Sequence, residues 1–447
     1  MNSFSEISLK DAVSFVVDNR GRSVPVQDVG IPLISTACIS NEALHPDLST
    51  ERYVSDEIYR NWFRSHPQPG DIILTNKGSK NGEIALVPDP VNFCIAQDMV
   101  ALRANSNLIS PAYLFAALRS RQVQLRIKAL NVDAVIPHFK KTDFDKLLIP
   151  LPSRRGQAFI GRVYLDISKK IELNRKTNET LEAMAKALFK SWFVDFDPVR
   201  AKAEGRPTGL PAEISDLFPD SFEDSELGEI PNGWEMEALG EILDVDKGVS
   251  YKGDFLSDTE GLPMVNLGCF AGGGSFRAEK MKFYAGEYRE RHLASAGDLL
   301  VANTDMTQNR IILGAPIIVP SWRGRDKFLF SHHTFAIRFR RSKSAFTRFI
   351  YFTLLKPSFR QVAAGHATGT TVLALPKDGI TDYQTVIPPA GLLNVFAAKV
   401  EALYQKCQAL TEQCELLAKT RDVLLPKLIS GEIRIPDAEK MLEEVGV

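Results

Sequence analysis

The chain repeats itself, and its second half matches its first half about 230 residues further on. Four pairs of matching segments follow one another in the same order: residues 31–39 with 262–270, 70–75 with 297–302, 100–103 with 335–338, and 149–152 with 387–390. The first pair keeps both a proline (Pro32, Pro263) and a cysteine (Cys38, Cys269) in place. A repeat of this length predicts two similar domains, in line with the chain's 447 residues.

Each half ends in a long helical pattern. In the second half, apolar residues recur at alternating steps of three and four, with only Arg421 interrupting them: Phe396, Val400, Leu403, Cys407, Leu410, Cys414, Leu417, Leu424 and Leu428. The first half has a similar stripe that includes polar Asn174 and Asn178: Ile160, Val163, Ile167, Ile171, Leu181, Ala185 and Leu188. This spacing is typical of coiled coils, in which Cys407 and Cys414 are core residues.

The two helices are predicted to pack on each other, because neither can cover its apolar stripe alone. The first helix runs from the first domain to the second and the second helix leaves the second domain, so the pair is expected to be antiparallel. At about 1.5 Å per residue, residues 392–429 would form a rod of roughly 57 Å. The prediction is an α+β fold in which a long two-helix antiparallel coiled coil separates two tandem mixed α/β domains related by a pseudo-twofold repeat.

The predicted boundaries follow from this pattern. They are a first domain at 1–152, a first helix at 153–194, a Pro-, Gly- and acid-rich linker at 195–230, a second domain at 231–388, a second helix at 389–432 and a C-terminal tail at 433–447. The aromatic residues at 192–196, where the first helix ends, are interpreted as a buried anchor.

Composition excludes several classes of protein. The five cysteines form no CxxC pair and no cluster with zinc-site spacing, so neither disulfides nor a metal site is expected. No apolar run is long enough to span a membrane, and the N-terminus lacks the features of a secretion signal, so a cytoplasmic location is expected. The net charge of −1 is uninformative, but residues 310–360 hold eleven Lys or Arg and the single acid Asp326. Such a run either attracts phosphate or is merely a solvated face.

Catalytic motifs are missing from the sequence. The nearest match to the Asn/Asp-Pro-Pro-aromatic loop of an adenine methyltransferase is 110–113, which lacks the second proline and is interpreted as a helix start. No GxxxxGK[ST] loop for nucleotide phosphates occurs. His332 and His333 have no neighbouring ligands at metal-site spacing and favour a structural or phosphate-contacting role. An autonomous methyltransferase or nuclease is therefore disfavoured.

The run at 170–197, which begins KIELNR and closes ALFKSWFVDFD, strongly resembles the central conserved region of the specificity subunits of Type I restriction and modification enzymes. Residues 425–433, LPKLISGEI, look like the distal conserved region of the same family. With the tandem domains, the resemblance covers nearly the whole chain. It implies two target-recognition domains that each read one part of a split, asymmetric sequence in duplex DNA.

The resemblance also implies partners and a division of labour. Two methyltransferase subunits and two restriction/translocase subunits are expected to assemble with the chain, which would itself be non-catalytic. S-adenosylmethionine, ATP and Mg are expected on those partners, with no cofactor in this chain. The rod's predicted length is comparable with one and a half turns of DNA, so the coil could act as a ruler between half-sites. Recognition domains vary greatly in such families, so the target sequence itself is not implied.

Polar loops at matching places in the two halves are the candidate DNA contacts. One loop follows the buried strand of each half, and a second precedes each helix; both offer donors suited to phosphates and base edges. The candidate residues are Lys77, Ser79, Lys80, Asn81, His138, Lys140, Lys141, Asn303, Thr304, Thr307, Asn309, Arg310, Thr368, Thr370 and Thr371. Two alternatives stay open: that these loops merely connect hairpins, and that the chain is a coiled-coil scaffold whose domains bind protein.

Overall fold

The computed structural model describes residues 5–19, 21, 23–130, 137–226, 228–306, 311–369 and 372–443. By its internal contacts the chain divides into two compact units. The first unit comprises residues 1–179 and 407–447, and the second comprises residues 180–406.

The elements of the first half are short strands and helices followed by one long helix. In chain order they are β1 (Ser5–Ser8), α1 (Leu9–Ala12), β2 (Val13–Val17), β3 (Ile31–Ile34), β4 (Tyr53–Val54), α2 (Asp56–Asn61), β5 (Ile72–Thr75), β6 (Ile84–Leu86), β7 (Cys94–Ile95), β8 (Met99–Ala104), α3 (Pro111–Arg119), α4 (Arg121–Ala129), β9 (Leu148–Leu151) and α5 (Arg154–Phe193). The sequence at 110–113 does begin a helix, with Pro111 in its first turn.

Strand β5 lies inside a four-stranded antiparallel sheet of order β2-β8-β5-β6. Its side chains alternate between two cores: Ile72 and Leu74 pack in the cluster that contains the buried residues of α3, while Ile73 packs in a second cluster with Ile34. Both faces are therefore covered, which explains why the strand is an uninterrupted apolar run in the sequence. A three-stranded sheet of order β4-β3-β7 completes the unit's strand framework, with β3 and β7 parallel.

The second half has more elements. They are α6 (Asp197–Ala203), α7 (Ala212–Ser215), β10 (Phe222–Ser225), β11 (Gly228–Pro231), β12 (Glu235–Ala238), α8 (Leu239–Ile242), β13 (Leu243–Lys247), β14 (Leu256–Ser257), β15 (Leu262–Val265), β16 (Lys282–Tyr284), β17 (Leu293–Ser295), β18 (Leu299–Ala302), β19 (Thr304–Asp305), β20 (Pro316–Ile318), β21 (Lys327–Phe330), β22 (Thr334–Phe339), α9 (Lys343–Leu355), α10 (Pro357–His366), β23 (Leu373–Ala374), α11 (Asp378–Thr381), β24 (Gln384–Ile387), α12 (Ala390–Ser430) and α13 (Ile435–Glu443).

The sheets of the two units confirm the repeat. The order β13-β22-β18-β20 reproduces β2-β8-β5-β6, and β15 runs parallel to β21 as β3 does to β7. In each unit, a strand near the start of the repeat pairs antiparallel with the strand just before the long helix: β1 with β9, and β12 with β24. The matched cysteines Cys38 and Cys269 both end 3-10 turns and are buried.

Segments of α5 and α12 pack on each other in both units, and in the first unit their contacts are antiparallel. In the first unit Tyr164 contacts Arg421, Ile171 contacts Cys414 and Asn178 contacts Cys407, so the residue numbers rise along one helix as they fall along the other. In the second unit Phe189 and Phe193 pack on Phe396, with ring centroids 6.1 and 4.9 Å apart. Packing of α5 on α12 is thus present in each unit, while the long antiparallel coiled coil stays a prediction.

The polar residues in the first helix's stripe have partners on the second helix. Asn174 Nδ2 donates to Gln413 Oε1 at 2.8 Å, and Asn178 Nδ2 donates to Thr411 Oγ1 at 3.1 Å. A side-chain amide buried between two helices can form its hydrogen bond only when its partner lies opposite, so it specifies the alignment of the helices, although it lowers their stability. These two pairs therefore favour one alignment of α5 on α12 in the first unit.

The segment at 195–230 differs from the open linker expected from its composition. It forms α6, α7 and the β10–β11 hairpin, and its apolar residues Val199, Phe218 and Ile230 are buried. Trp192 and Phe193 are buried in the same core as Phe218, as the anchor interpretation predicts. The tail expected at 433–447 also contains structure, because α13 buries Ala438 and Leu442 in the first unit's core.

Candidate nucleic-acid interface

In the first unit, the two candidate loops lie side by side at the end of β5. Phe139 N donates to Asn76 O at 2.9 Å, and Gly78 N donates to Pro137 O at 3.0 Å. Lys77 and His138 face each other in an isolated bridge. The loop at 76–82 and the segment at 137–141 are therefore joined through backbone hydrogen bonds, although 61 positions separate Lys77 from His138.

Three of the four lysines in this pair of loops are exposed. Lys77, Lys140 and Lys141 are all exposed, as is Ser79, while Lys80 and Asn81 are partly buried. Lys77 Nζ lies 3.7 Å from a carboxylate oxygen of Asp98, and both side chains are more than 40% exposed. An ion pair so accessible to water contributes little, so the Lys77 ammonium stays available to a phosphate.

Asn76 is a residue that motif reasoning missed. It is 1% exposed, and neither its amide nitrogen nor its amide oxygen has a hydrogen-bond partner among the described residues. A buried amide without partners is destabilising. The signal for it in the sequence is that an asparagine directly follows the buried strand in both halves, at Asn76 and Asn303.

The second unit holds its asparagine in a hydrogen-bonded group. Asn303 Nδ2 donates to His332 O at 3.1 Å, and Asn303 Oδ1 accepts from Thr304 Oγ1 at 2.8 Å. Thr304 Oγ1 is in turn 3.2 Å from His333 Nδ1. Asn303 and Thr304 were both predicted as DNA contacts, but they are buried, so their side chains support His333 instead of lying on the surface.

The hydrogen-bond pattern corrects the assignment of the second loop. Leu375 N donates to Asn303 O at 2.8 Å, as Phe139 N does to Asn76 O. The counterpart of 138–141 is therefore 374–377, and not 368–371 as the polar composition indicated. Thr368 is exposed and pairs with Ala374 in an isolated antiparallel bridge. Polar composition pointed to the wrong segment because the true counterpart of 138–139 is Ala374–Leu375, which is apolar. The two segments correspond through their backbone hydrogen bonds and not through their side chains.

Five candidate residues, Thr307, Asn309, Arg310, Thr370 and Thr371, lie outside the described residues. Of the segment at 374–377, only Lys377 is a cation, whereas the first unit has Lys140 and Lys141 at the corresponding places. The described parts of the two interfaces therefore differ in charge.

His332 and His333 lie beside this group, with ring centroids 3.8 Å apart. Burial lowers the pKa of His332, and Lys247 lowers it further. Burial, His332 and Lys247 lower the pKa of His333 in that order. Both rings therefore favour the neutral form at neutral pH. Within the part of the chain that the structure describes, no three His, Cys, Asp or Glu side chains are grouped so as to hold a metal ion.

Comparison with known proteins gives one consistent result. A family model described as the Type I restriction modification DNA specificity domain matches residues 28–183. The HindI specificity subunit of a Type I restriction enzyme from Haemophilus influenzae is 24% identical, and the match covers 88% of this chain and 92% of that protein. The MjaIX specificity subunit from Methanocaldococcus jannaschii is 25% identical, over 82% of this chain and 78% of that protein. Residues 28–183 thus match a Type I DNA specificity domain, and most of the chain is similar to proteins named as Type I restriction enzyme specificity subunits.

A solved specificity-subunit structure shares the fold. The crystal structure of the S subunit of a Type I restriction-modification system from M. genitalium aligns with a TM-score of 0.56 and 14% identity, over 96% of this chain and 97% of that one. At this identity the likeness concerns the mixed helix and strand fold alone. The DNA specificity domain matched at 28–183 includes both candidate loops of the first unit. Among the described residues, no helix is long and apolar enough to cross a membrane.

Proposed function

We propose that this chain is a specificity subunit that reads a bipartite, asymmetric sequence of duplex DNA, with one part read by each unit. The observation that carries the proposal is the repetition of one sheet topology with a pair of loops hydrogen-bonded at the same strand end, Asn76–Phe139 in one unit and Asn303–Leu375 in the other. Two copies of one reading device with different side chains suit a target with two different halves.

DNA contacts are assigned to the exposed side chains of the first unit's loops. Lys77, Lys140 and Lys141 suit phosphate oxygens, and Ser79 suits either phosphates or base edges. In the second unit the half-exposed His333 and the exposed Thr368 are the described candidates. Arg310 belongs to the same proposal on the strength of the sequence alone.

The chain is proposed to be the non-catalytic member of a complex. Methyltransferase subunits would carry S-adenosylmethionine, and restriction/translocase subunits would carry ATP and Mg. The absence of methyltransferase and nucleotide-binding motifs from the sequence supports this division. The paired segments of α5 and α12, 40 and 41 residues long in all, are proposed to set the distance between the two parts of the target.

The test is to produce the full chain with its cognate methyltransferase subunit and to map methylated adenines on genomic DNA. We expect a split motif with a fixed spacer of unread base pairs, and no methylation by the chain alone. Methylation by the isolated chain would overturn the non-catalytic assignment. A modified motif without a spacer would overturn the bipartite reading, and a complex with no DNA specificity would favour the protein-binding scaffold.

A further inference from the structure

A tight basic hairpin lies between β20 and β21 of the second unit. Trp322 N donates to Arg325 O at 3.1 Å, and Arg325 N donates to Trp322 O at 2.9 Å. The two residues between them, Arg323 and Gly324, have φ angles of +50° and +71°. Positive φ at both central positions is the signature of a type I′ turn. The hairpin therefore holds its arginines on a short, well-defined loop.

Arg323 occupies a position that disfavours it. The first central residue of a type I′ turn is usually Asn, Asp or Gly, because other side chains are strained at positive φ. Backbone strain of this kind is found preferentially where a side chain has a function that the fold alone does not require. The strained backbone at Arg323 therefore indicates a function for this side chain, and it does so separately from the positive charge of the hairpin.

Two aromatic rings support the arginines. The guanidinium of Arg323 lies 4.6 Å from the ring centroid of Trp322, and that of Arg325 lies 5.7 Å from that of Phe283. The two rings are themselves 6.2 Å apart. We call the rings of Trp322 and Phe283 the aromatic platform. Trp322 packs against the core cluster that contains Phe270, so this platform is anchored to the core. Stacking restricts both guanidinium groups before any ligand binds, which lowers the entropic cost of binding.

The hairpin connection is net positive, with three cations at 323–327 against the single acid Asp326. Arg323, Arg325 and Lys327 are exposed, and none of them forms an ion pair with a described residue. Lys280 is exposed and likewise has no ion pair with one, and it adjoins Met281, which packs in the same cluster as Trp322. Arg323, Arg325 and Lys327 are part of the basic run that the sequence shows at 310–360, whereas Lys280 is not.

The first unit does not repeat this feature. There the equivalent connection from β6 to β7 is 88–93, with the sequence PDPVNF and no cation. The corresponding segment of the second unit, 320–328 (PSWRGRDKF), includes the first two residues of β21, is three residues longer, and has three cations and the acid Asp326. The four-stranded sheet that contains β6 in the first unit and β20 in the second has the same strand order in both, so that order does not depend on a basic hairpin.

We propose that the hairpin at 322–325 binds the sugar-phosphate backbone of duplex DNA, independently of sequence, and does so in the second unit only. The inference rests on the proposed function, because the ligand is the DNA that the recognition loops would read. Strand β20 runs antiparallel to β18, so the hairpin after Ile318 lies at the opposite end of β18 from Asn303. The hairpin would therefore add affinity without choosing bases.

The experiment measures DNA affinity against salt for the complex of the full chain with its methyltransferase subunit. The variant is Arg323→Gly with Arg325→Ala, in which glycine keeps the turn's preferred conformation. Each lost phosphate contact lowers the slope of log affinity against log salt by about 0.9, so the double variant should lose about 1.8. Target and unrelated duplexes should be weakened alike, and the methylated motif should not change.

Two further variants serve as controls. Arg340→Ala removes an exposed arginine of the same unit that is already paired with Asp244, and it should leave the slope unchanged. Arg323→Lys with Arg325→Lys keeps the charges and should retain most of the slope. A thermal melt of each variant checks that the second unit is folded.

An unchanged slope in the folded double variant would overturn the hairpin's role, and so would the loss of discrimination at one base position. Both outcomes differ from failure of the proposed function, which would show as the absence of a split methylated motif in the wild-type complex.

Discussion

Arg103 and Arg338 occupy equivalent positions in the two units and each pairs with an aspartate. We expect their removal to destabilise the two units by different amounts. In the first unit, Arg103 Nε and Nη2 lie 3.0 and 2.9 Å from the two carboxylate oxygens of Asp71. In the second unit, Asp298 accepts from Arg338 at 3.1 Å and also from Lys343. Arg103→Ala therefore leaves Asp71 without a cation among the described residues, whereas Asp298 keeps Lys343 when Arg338 is lost.

The expected magnitude follows from burial. The Asp71 side chain is only 3% exposed, and breaking a buried ion pair by removing one partner costs roughly 3–5 kcal/mol. Because the Arg103 side chain is 32% exposed, water weakens the pair, and a loss of about 2–3 kcal/mol is expected for Arg103→Ala. For Arg338→Ala we expect a smaller loss of about 1–2 kcal/mol, since Lys343 still neutralises Asp298, although the half-exposed pair with Asp246 and the bond to Leu293 O are also lost.

The assay is urea unfolding of the full chain combined with hydrogen exchange at the amides of β5 and β18. Exchange reports each unit separately, which matters if the two do not unfold together. Arg340→Ala is the control, because its pair with Asp244 is exposed and its loss should not measurably change unfolding. If Arg338→Ala destabilised the second unit as much as Arg103→Ala destabilises the first, the claim that Lys343 compensates for the lost arginine would be refuted.

Three other predictions concern DNA binding, pH and spacing. Replacing Lys77, Lys140 and Lys141 by alanine in the assembled complex should lower the salt slope by up to about 2.7, while Lys146→Ala should not; an unchanged slope would remove these loops from the interface. Because the pKa values of His332 and His333 are lowered, the unfolded chain binds more protons below pH of about 6.5 and the second unit should lose stability as pH falls from there. The melting temperature should change less with pH between pH 5 and 8 in the variant His332→Gln with His333→Gln than in the wild type. An equal dependence on pH in the two proteins would contradict this. Adding one heptad to both α5 and α12 lengthens each by about 10.5 Å and should lengthen the unread spacer by roughly three base pairs, with some loss of affinity from the accompanying rotation. Methylation mapping at the original spacing by an active variant would show that the helices do not measure the distance.

The repeat and the helical seam were predictable because they depend on buried positions. The runs at 72–75 and 299–302 match since each strand is covered on both faces, which leaves little choice beyond apolar residues. The seam from Phe396 to Leu428 was predictable because its apolar residues recur with a period of about 3.5 along one stripe of α12. Polar Asn174 looked like an interruption, and its partner Gln413 on the other helix could not be identified from spacing alone.

Folding at 195–230 was missed because composition and structure disagree there. The stretch from 212 to 230 holds seven acidic residues and no Lys or Arg, which is typical of a solvated linker. Its few apolar residues are nevertheless enough to anchor it, because Phe218 packs on Trp192 with ring centroids 5.3 Å apart. Scattered anchors of this kind have no period, so a search for helical or strand patterns does not detect them.

The candidate sites were harder to predict, because the two halves diverge between the strands. Ile72 matches Leu299, 227 residues later, while Met99 matches Thr334, 235 residues later. Eight residues have therefore been added between these strands in the second half, three of them in the basic hairpin's connection. The register of a buried strand cannot slip without exposing its apolar side chains, so the added residues can only enter the connections. The loops that would touch DNA are thus free to change length and charge while the sheet is retained, and this is why matching loops by polarity failed at 368–371 whereas matching strands by apolar sequence succeeded.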